Sequence, residues 1–510
     1  MAHIDLIGQS FELKQKNLSS QRTINYILKQ VNDAGVKSPK FLAPTPGAVI
    51  QHTVSTDLAD CRGLYYSSSG PASDNFISKL YGVWGNVVYR FNTALTAAYP
   101  IGNVTEGGNI SMTDNGFDFV VVDGQGCWKY PLLAENNDAK TLVSVLLPDA
   151  AGIVPATPIR PTHIAFLAQR LIVNSHAGNQ WYFTDLPTET DSVVFHPDNF
   201  YSAESSSDVI QGLMVSNGSL WIYGYRSYEI WRGTGGNQDD PFNFVGGSQS
   251  SVGIVGIGSL ATINNYIFWL GGSDVGAAGV YMGNSTSAER ISNPAIEDQI
   301  GSIKDQTAAI AWAYASKGYM YYVLSFPNVD RTFVYETVTG TWTERLQRDV
   351  NTSAWKVWPY QFGCFVNGQI VCGLVGKNTH PSYLVKLDDD VYTEYNGDVV
   401  VRQRTTQVYF EDFNLVKGTE LVVDCEVGTT ALLTGQGSDP KIQLEISRDG
   451  GNSYGNILDK SLGQQGNYRK IVRWNGLGTS RAYTFRLTVA ENCPCAIYSG
   501  RFTYEPCSRT

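Results

Sequence analysis

The sequence predicts an all-β protein: a six- or seven-bladed β-propeller followed by a β-sandwich-like domain. A strand, polar turn and aromatic strand recur seven times at intervals of 38, 46, 47, 47, 53 and 50 residues, and a four-stranded propeller blade needs ~40–50. Glycine (51 residues) and tyrosine (29) are both abundant, as tight turns and half-buried strand faces demand. The period is lost near Val399. A chain of 510 residues also exceeds one ordinary core, and with 43% hydrophobic and 16% charged residues it has the composition of a folded protein.

Residues 1–55 read as an extended N-terminal arm. Pro39, Pro44, Pro46 and Gly47 punctuate it, and only Arg22 to Val31 offers a short helix or strand. Such a segment has no core of its own, so it is expected to wrap the main domain or a neighbouring subunit.

Residues 56–398 carry the repeats. Their turns centre near Asn86, Gly124, Arg170, Asn217, Asn264, Lys317 and Asn367. Asn217-Gly218 and Asn367-Gly368 supply the positive backbone angles of tight hairpins. Trp84, Trp128, Trp181, Trp221, Trp231 and Trp342 stand on the flanking strands, where their faces stack sheet on sheet. In Leu220 to Trp231, Arg226 and Glu229 lie among strand aromatics. An unpaired buried charge is costly, so they are expected to pair with each other or with neighbouring blades.

Residues 399–510 form the β-sandwich-like domain. Val399–Glu411, Thr419–Val427, Lys441–Ser447, Tyr468–Trp474, Ala482–Val489 and Arg501–Glu505 alternate as strands. Ser447 to Gly455 resembles an aspartate box, in which Asp449 accepts backbone hydrogen bonds and Gly450 permits the bend. That box is a turn device and carries no chemistry.

No catalytic, cofactor or metal site emerges. The six histidines form no HExxH pair, there is no phosphate loop, and Gly271 to Gly279 lacks the helix that would focus a phosphate. Asp388, Asp389 and Asp390 lack the alternation of a calcium loop, and Asn237 to Asp240 reads likewise as a solvated loop. Eight scattered cysteines argue against a disulfide scaffold. The net charge of -10 disfavours a general grip on nucleic acid but suits DNA that slides past. Met1 to Gly8 shows no secretion signal, and no run approaches the ~20 apolar residues of a membrane helix.

Particular residues carry a resemblance. Arg22, Thr23 and Asn25 form an RTxN pattern, followed by Lys37, Ser38, Pro39 and Pro44 to Gly47; the pattern departs at Tyr26, Ile27 and Leu28. Ser202, Ala203, Glu204 and Asp208 precede Leu220, Trp221, Gly224, Ser227, Glu229 and Trp231; Pro241 and Phe242, then Arg290, Ile291, Ser292 and Glu297 follow. Last come Phe326, Pro327, Thr332, Tyr335, Gly340, Trp342, Glu344 and Arg345. In this order the segments resemble the packaged-DNA stabilisation, or tail-hub, family of short-tailed bacteriophages.

That resemblance implies a structural virion protein of the tail, made in the host cytoplasm and assembled as a homohexameric ring that extends the DNA exit channel and retains packaged DNA. The implied partners are a portal or adaptor ring, a tail needle or central fibre, and lateral tailspikes or fibres; no cofactor or reaction is implied. The competing expectations are a carbohydrate-binding or carbohydrate-cleaving tail protein, marked by an aromatic platform with paired acids, and an adhesion module using the propeller alone.

Overall fold

The computed structural model describes residues 2–4, 6–31, 35–68, 79–132, 141–149, 158–176, 178–188, 192–203, 208–235, 240–273, 276–376, 379–412, 414–430, 434–435 and 437–507. Glu204, Asn237 to Asp239 and Asp274, which figure in the motifs above, lie outside them.

Hydrophobic strands bounded by Asn-Gly and related turns pair into seven antiparallel sheets in chain order. The first strands of blades one to seven are Cys61–Tyr66, Ser111–Asp114, Ile164–Leu167, Ile210–Ser216, Ala261–Ile263, Ile310–Ser316 and Tyr360–Val366. Each packs against the first strand of a neighbouring blade or the hairpin it forms, and Tyr360–Val366 returns to Cys61–Tyr66, closing a ring of seven. Cores form between blades: Val120 and Val122 of blade two bury against Leu171, Val173 and Tyr182 of blade three. Close approach selects small residues, since a Cβ at Gly363 of blade seven would stand 2.5 Å from the Trp312 ring of blade six.

The recurring turns fall into two kinds. Those at Asn86 and Gly124 join the second and third strands of blades one and two, whereas the other five join first and second strands. Each blade is still sampled once, so the number of repeats equals the number of blades, and the change of hairpin falls in the second interval, between Gly124 and Arg170. Asn217 and Gly218 have φ of 49° and 70°, and Asn367 and Gly368 have 49° and 81°, the left-handed pair that a two-residue hairpin requires.

The expected N-terminal arm is divided among sheets. Gly47–Ser55 is the outermost strand of blade seven, antiparallel to Ser382–Asp388, so the propeller is closed by an N-terminal strand joining C-terminal ones. Tyr26–Gln30 and Lys40–Pro44 form a hairpin in one sandwich sheet, beside Ile497–Pro506. Ser20–Ile24 lies between Thr341–Glu344 of blade six and Arg402–Thr405 of the other sandwich sheet. The prolines that suggested an arm stand at strand ends or edges, where a missing N–H is tolerated.

The sandwich core contains Leu421, Leu444, Trp474, Tyr483, Phe485 and Phe502. Each such side chain stabilises by ~1.5–3 kcal/mol when fully buried. Through Ser20–Ile24, blade six and a sandwich sheet form one continuous eleven-stranded sheet.

Candidate functional site: the domain junction and the propeller axis

Two motifs far apart in the sequence meet in space. Arg22 donates from Nε to Glu344 Oε1 at 2.9 Å and from Nη2 to Oε2 at 2.6 Å. Arg331 adds a third contact to Oε2 at 3.0 Å. Burial alone would raise the Glu344 carboxyl, but the two guanidinium groups outweigh it and hold the pKa below its ordinary value. The bidentate fork explains why arginine occupies position 22.

The rest of the Gly340 to Arg345 hairpin clasps the N-terminal segment. Trp342 accepts from the Ser10 N–H at 2.8 Å and donates its own N–H to Gln9 Oε1 at 3.1 Å. Arg345, buried 4.1 Å over the Trp358 ring, donates to the Pro46 carbonyl at 2.9 Å. Asn25, at φ 55°, spans the domains: its Nδ2 donates to the Leu346 and Val401 carbonyls at 2.7 Å each, and its Oδ1 accepts from the Leu346 N–H at 3.1 Å.

Two further residues of the junction escaped the sequence reading. Arg402 and Arg404 are fully buried. Arg404 donates to the Leu6 and Gln9 carbonyls, Thr23 Oγ1 and Gln21 Oε1, while Arg402 donates to the Glu491 carbonyl at 2.7 Å and lies over the Tyr392 ring. The available signal was their spacing of two in a strand, which puts both on one face.

The propeller axis holds a cavity of about 310 Å³ lined from every blade, by Leu64, Met112, His163, Leu213, Leu260, Trp312 and Phe362 among others. A wider mouth of about 590 Å³ opens beside Asp60, Arg62, Asn109, Thr307 and Asn328. Arg62 donates to the Gly85 and Thr105 carbonyls at 2.8 Å each, pinning the rim. His163 lies within hydrogen-bonding distance of Thr162 Oγ1, Nδ1 to Oγ1 3.0 Å, and burial pushes its pKa down to about 4. Side chains from every blade narrow this axis to a small cavity, and a duplex whose major groove alone is ~12 Å wide cannot pass it.

The remaining motif residues are distributed through the blades and the sandwich. Trp84, Trp181, Trp221 and Trp342 are buried, and Trp128 and Trp231 half-buried. Trp181 and Trp231 meet edge-on at 5.4 Å. Arg226 stands in an exposed turn, its backbone N–H donated to Asp208 Oδ2 at 2.5 Å, whereas buried Glu229 accepts the Trp231 indole N–H at 2.8 Å. Asp449 accepts from the Asn452 and Ser453 N–H groups at 3.0 and 2.9 Å, and although burial opposes it, the Ser453, Ser447 and Asn452 hydrogen bonds lower its pKa to about 2. Beside it, Gly450 has φ 71°. Asp388 and Asp389 are paired with Lys386 and Lys317.

Residues 26–390 match the family model described as Bacteriophage P22 Gp10, beta-propeller, and residues 401–505 match that described as Bacteriophage P22 Gp10, beta-sandwich. The chain belongs to the bacteriophage P22 Gp10 family. As a Gp10-family member it is a structural protein of the phage tail, from the tail-hub and DNA-stabilisation proteins of podoviruses. No curated protein matches the chain at a significant level. Among solved structures it is similar to the N-terminal domain of Nup159, at 10% identity and a TM-score of 0.40 over 72% of this chain and 99% of that one. It is also similar to the Neurospora crassa Pan2 WD40 domain, at 11% identity and a TM-score of 0.38 over 64% and 89%. Neither likeness bears on what a Gp10-family protein does. Among the described residues, no helix is long and apolar enough to cross a membrane.

Proposed function

We propose that the chain forms a ring, six subunits in the reading we favour, in the tail hub, where it extends the DNA exit channel, stabilises packaged DNA and docks other tail proteins without catalysing a reaction. The observation that carries this reading is the Gp10-family match across propeller and sandwich together. The narrow propeller axis supports it from another side: a channel for DNA has to run between subunits, not through one. The excess of carboxylates, 33 Asp and Glu against 18 Lys and Arg in residues 56–398, disfavours adhesion of a passing polyanion. The proposed partners are a portal or adaptor ring on one axial side, a needle or central fibre on the other, and lateral tailspikes or fibres.

The test is the mass and end-on image of the purified protein mixed with candidate portal and adaptor rings. A six-subunit annulus coaxial with the portal supports the hub reading. A monomer or trimer that ignores those rings sinks it and turns attention to glycan binding.

A further inference from the structure

Charge is segregated along this chain. Residues 56–398 carry a net charge of -15, whereas residues 1–55 and 399–510 together carry 19 Lys and Arg against 14 Asp and Glu, a net of +5. The asymmetry sharpens over residues 171–289, which span most of blades three to five and hold two arginines, no lysine and 11 carboxylates. On the described surface there, Asp198 and Asp240 are exposed and Asp185 is half-exposed. Asp198 lies on Phe195–Ser202, the outermost strand of blade three.

The opposite end of the molecule has the complementary chemistry. Leu458–Ser461 ends one sandwich sheet and Val472–Ser480 ends the other. The two edges meet on one side, where Trp474 Nε1 donates to the Leu458 carbonyl at 2.9 Å. Around this line Ile457, Leu458, Tyr468 and Ile471 are 41–67% exposed, and exposed Lys460 and Arg469 stand among them with Asp459, which Lys441 faces at 3.8 Å. Exposed apolar side chains with a mainly basic rim, along two strand edges unpaired among the described residues, have the anatomy of a contact surface. The sandwich grows from blade six, three places round the ring of seven from blade three, as far as such a ring allows.

We propose that copies of this chain associate head to tail, the free sandwich edge of one copy docking on the acidic outer edges of blades three and four of the next. The inference rests on the ring reading above and names its contact. The two surfaces are different and complementary, so the interface is heterologous and repeats around a ring. Docking of the sandwich edge on its own twin would instead bring Lys460 and Arg469 against like charge.

Two double variants test it: Tyr468→Ser with Ile471→Asp on the sandwich edge, and Asp185→Lys with Asp198→Lys on blade three. Unchanged circular dichroism and melting establish that each folds. Mass measurement is then expected to show association weakened about 30-fold or more by either variant, and weakened for the wild type between about 50 and 500 mM salt. In an equimolar mixture of the two variants, one intact contact remains per pair, so dimers form and grow no further. A wild type that assembles while both variants assemble equally well, or a mixture that stays monomeric, overturns the head-to-tail contact alone. A wild type that is monomeric in every salt, with and without the partner rings, overturns the ring reading itself.

Discussion

Arg22 and Glu344 lie 322 residues apart in sequence and form a bidentate ion pair at 2.6 and 2.9 Å, with the carboxylate fully buried. The pair joins the strand that enters the sandwich sheet to the last strand of blade six. Glu344→Gln leaves Arg22 and Arg331 facing a neutral amide, and is expected to cost ~3–5 kcal/mol. Because the folded pKa of Glu344 lies below the ordinary 4.5, its contribution is complete above that pH and is lost as pH falls through the folded value. Denaturant titrations of wild type and variant between pH 3 and 7 measure this: the gap between them is expected to narrow at the acid end.

Asn25 satisfies three backbone groups from two domains while holding a left-handed backbone. Asn25→Ala strands the buried Leu346 N–H and two carbonyls, and alanine at φ 55° adds strain. A loss of ~2–4 kcal/mol is expected, with the calorimetric transition splitting as the propeller and sandwich uncouple.

Gly47 begins the strand that closes blade seven. A Cβ there would stand 2.4 Å from the Thr393 carbonyl and 2.5 Å from that of Val391, both backbone atoms that cannot step aside. Gly47→Val is expected to destabilise by ~1–3 kcal/mol through overpacking. Hydrogen exchange is the direct measurement: protection should fall in Gly47–Ser55 and Ser382–Asp388 while the central strands of blades three and four keep theirs.

His163 is buried beside the axial cavity with a pKa near 4, against ~6.5 in an unfolded chain. Between those values the unfolded state binds a proton that the folded state refuses, so stability is fully present above about pH 6.5 and falls toward pH 4, by ~3 kcal/mol in all. His163→Gln should remove most of that slope. An unaltered slope in the variant would assign the acid sensitivity to other groups.

What could be read from the residues alone was set by local chemistry. Asn217-Gly218 and Asn367-Gly368 demand tight hairpins, and alternating aromatic strands around them give all-β structure with a countable repeat. The loss of that repeat near Val399 likewise marks a second pattern. These signals are local because turn geometry and strand alternation depend on near neighbours.

Tertiary structure decided the rest. Gly47–Ser55 has nothing nearby to pair with, and only ring closure supplies Ser382–Asp388 as its partner. Arg22, Thr23 and Asn25 were legible as a motif, but their role waited for Glu344 and Leu346 to arrive from the far end of the propeller. Arg402 and Arg404 have the composition of surface residues; they are buried because folding places the Leu6, Gln9 and Glu491 carbonyls around them. A buried charge is stable only where the whole fold delivers its partners, and no local run of sequence encodes that meeting.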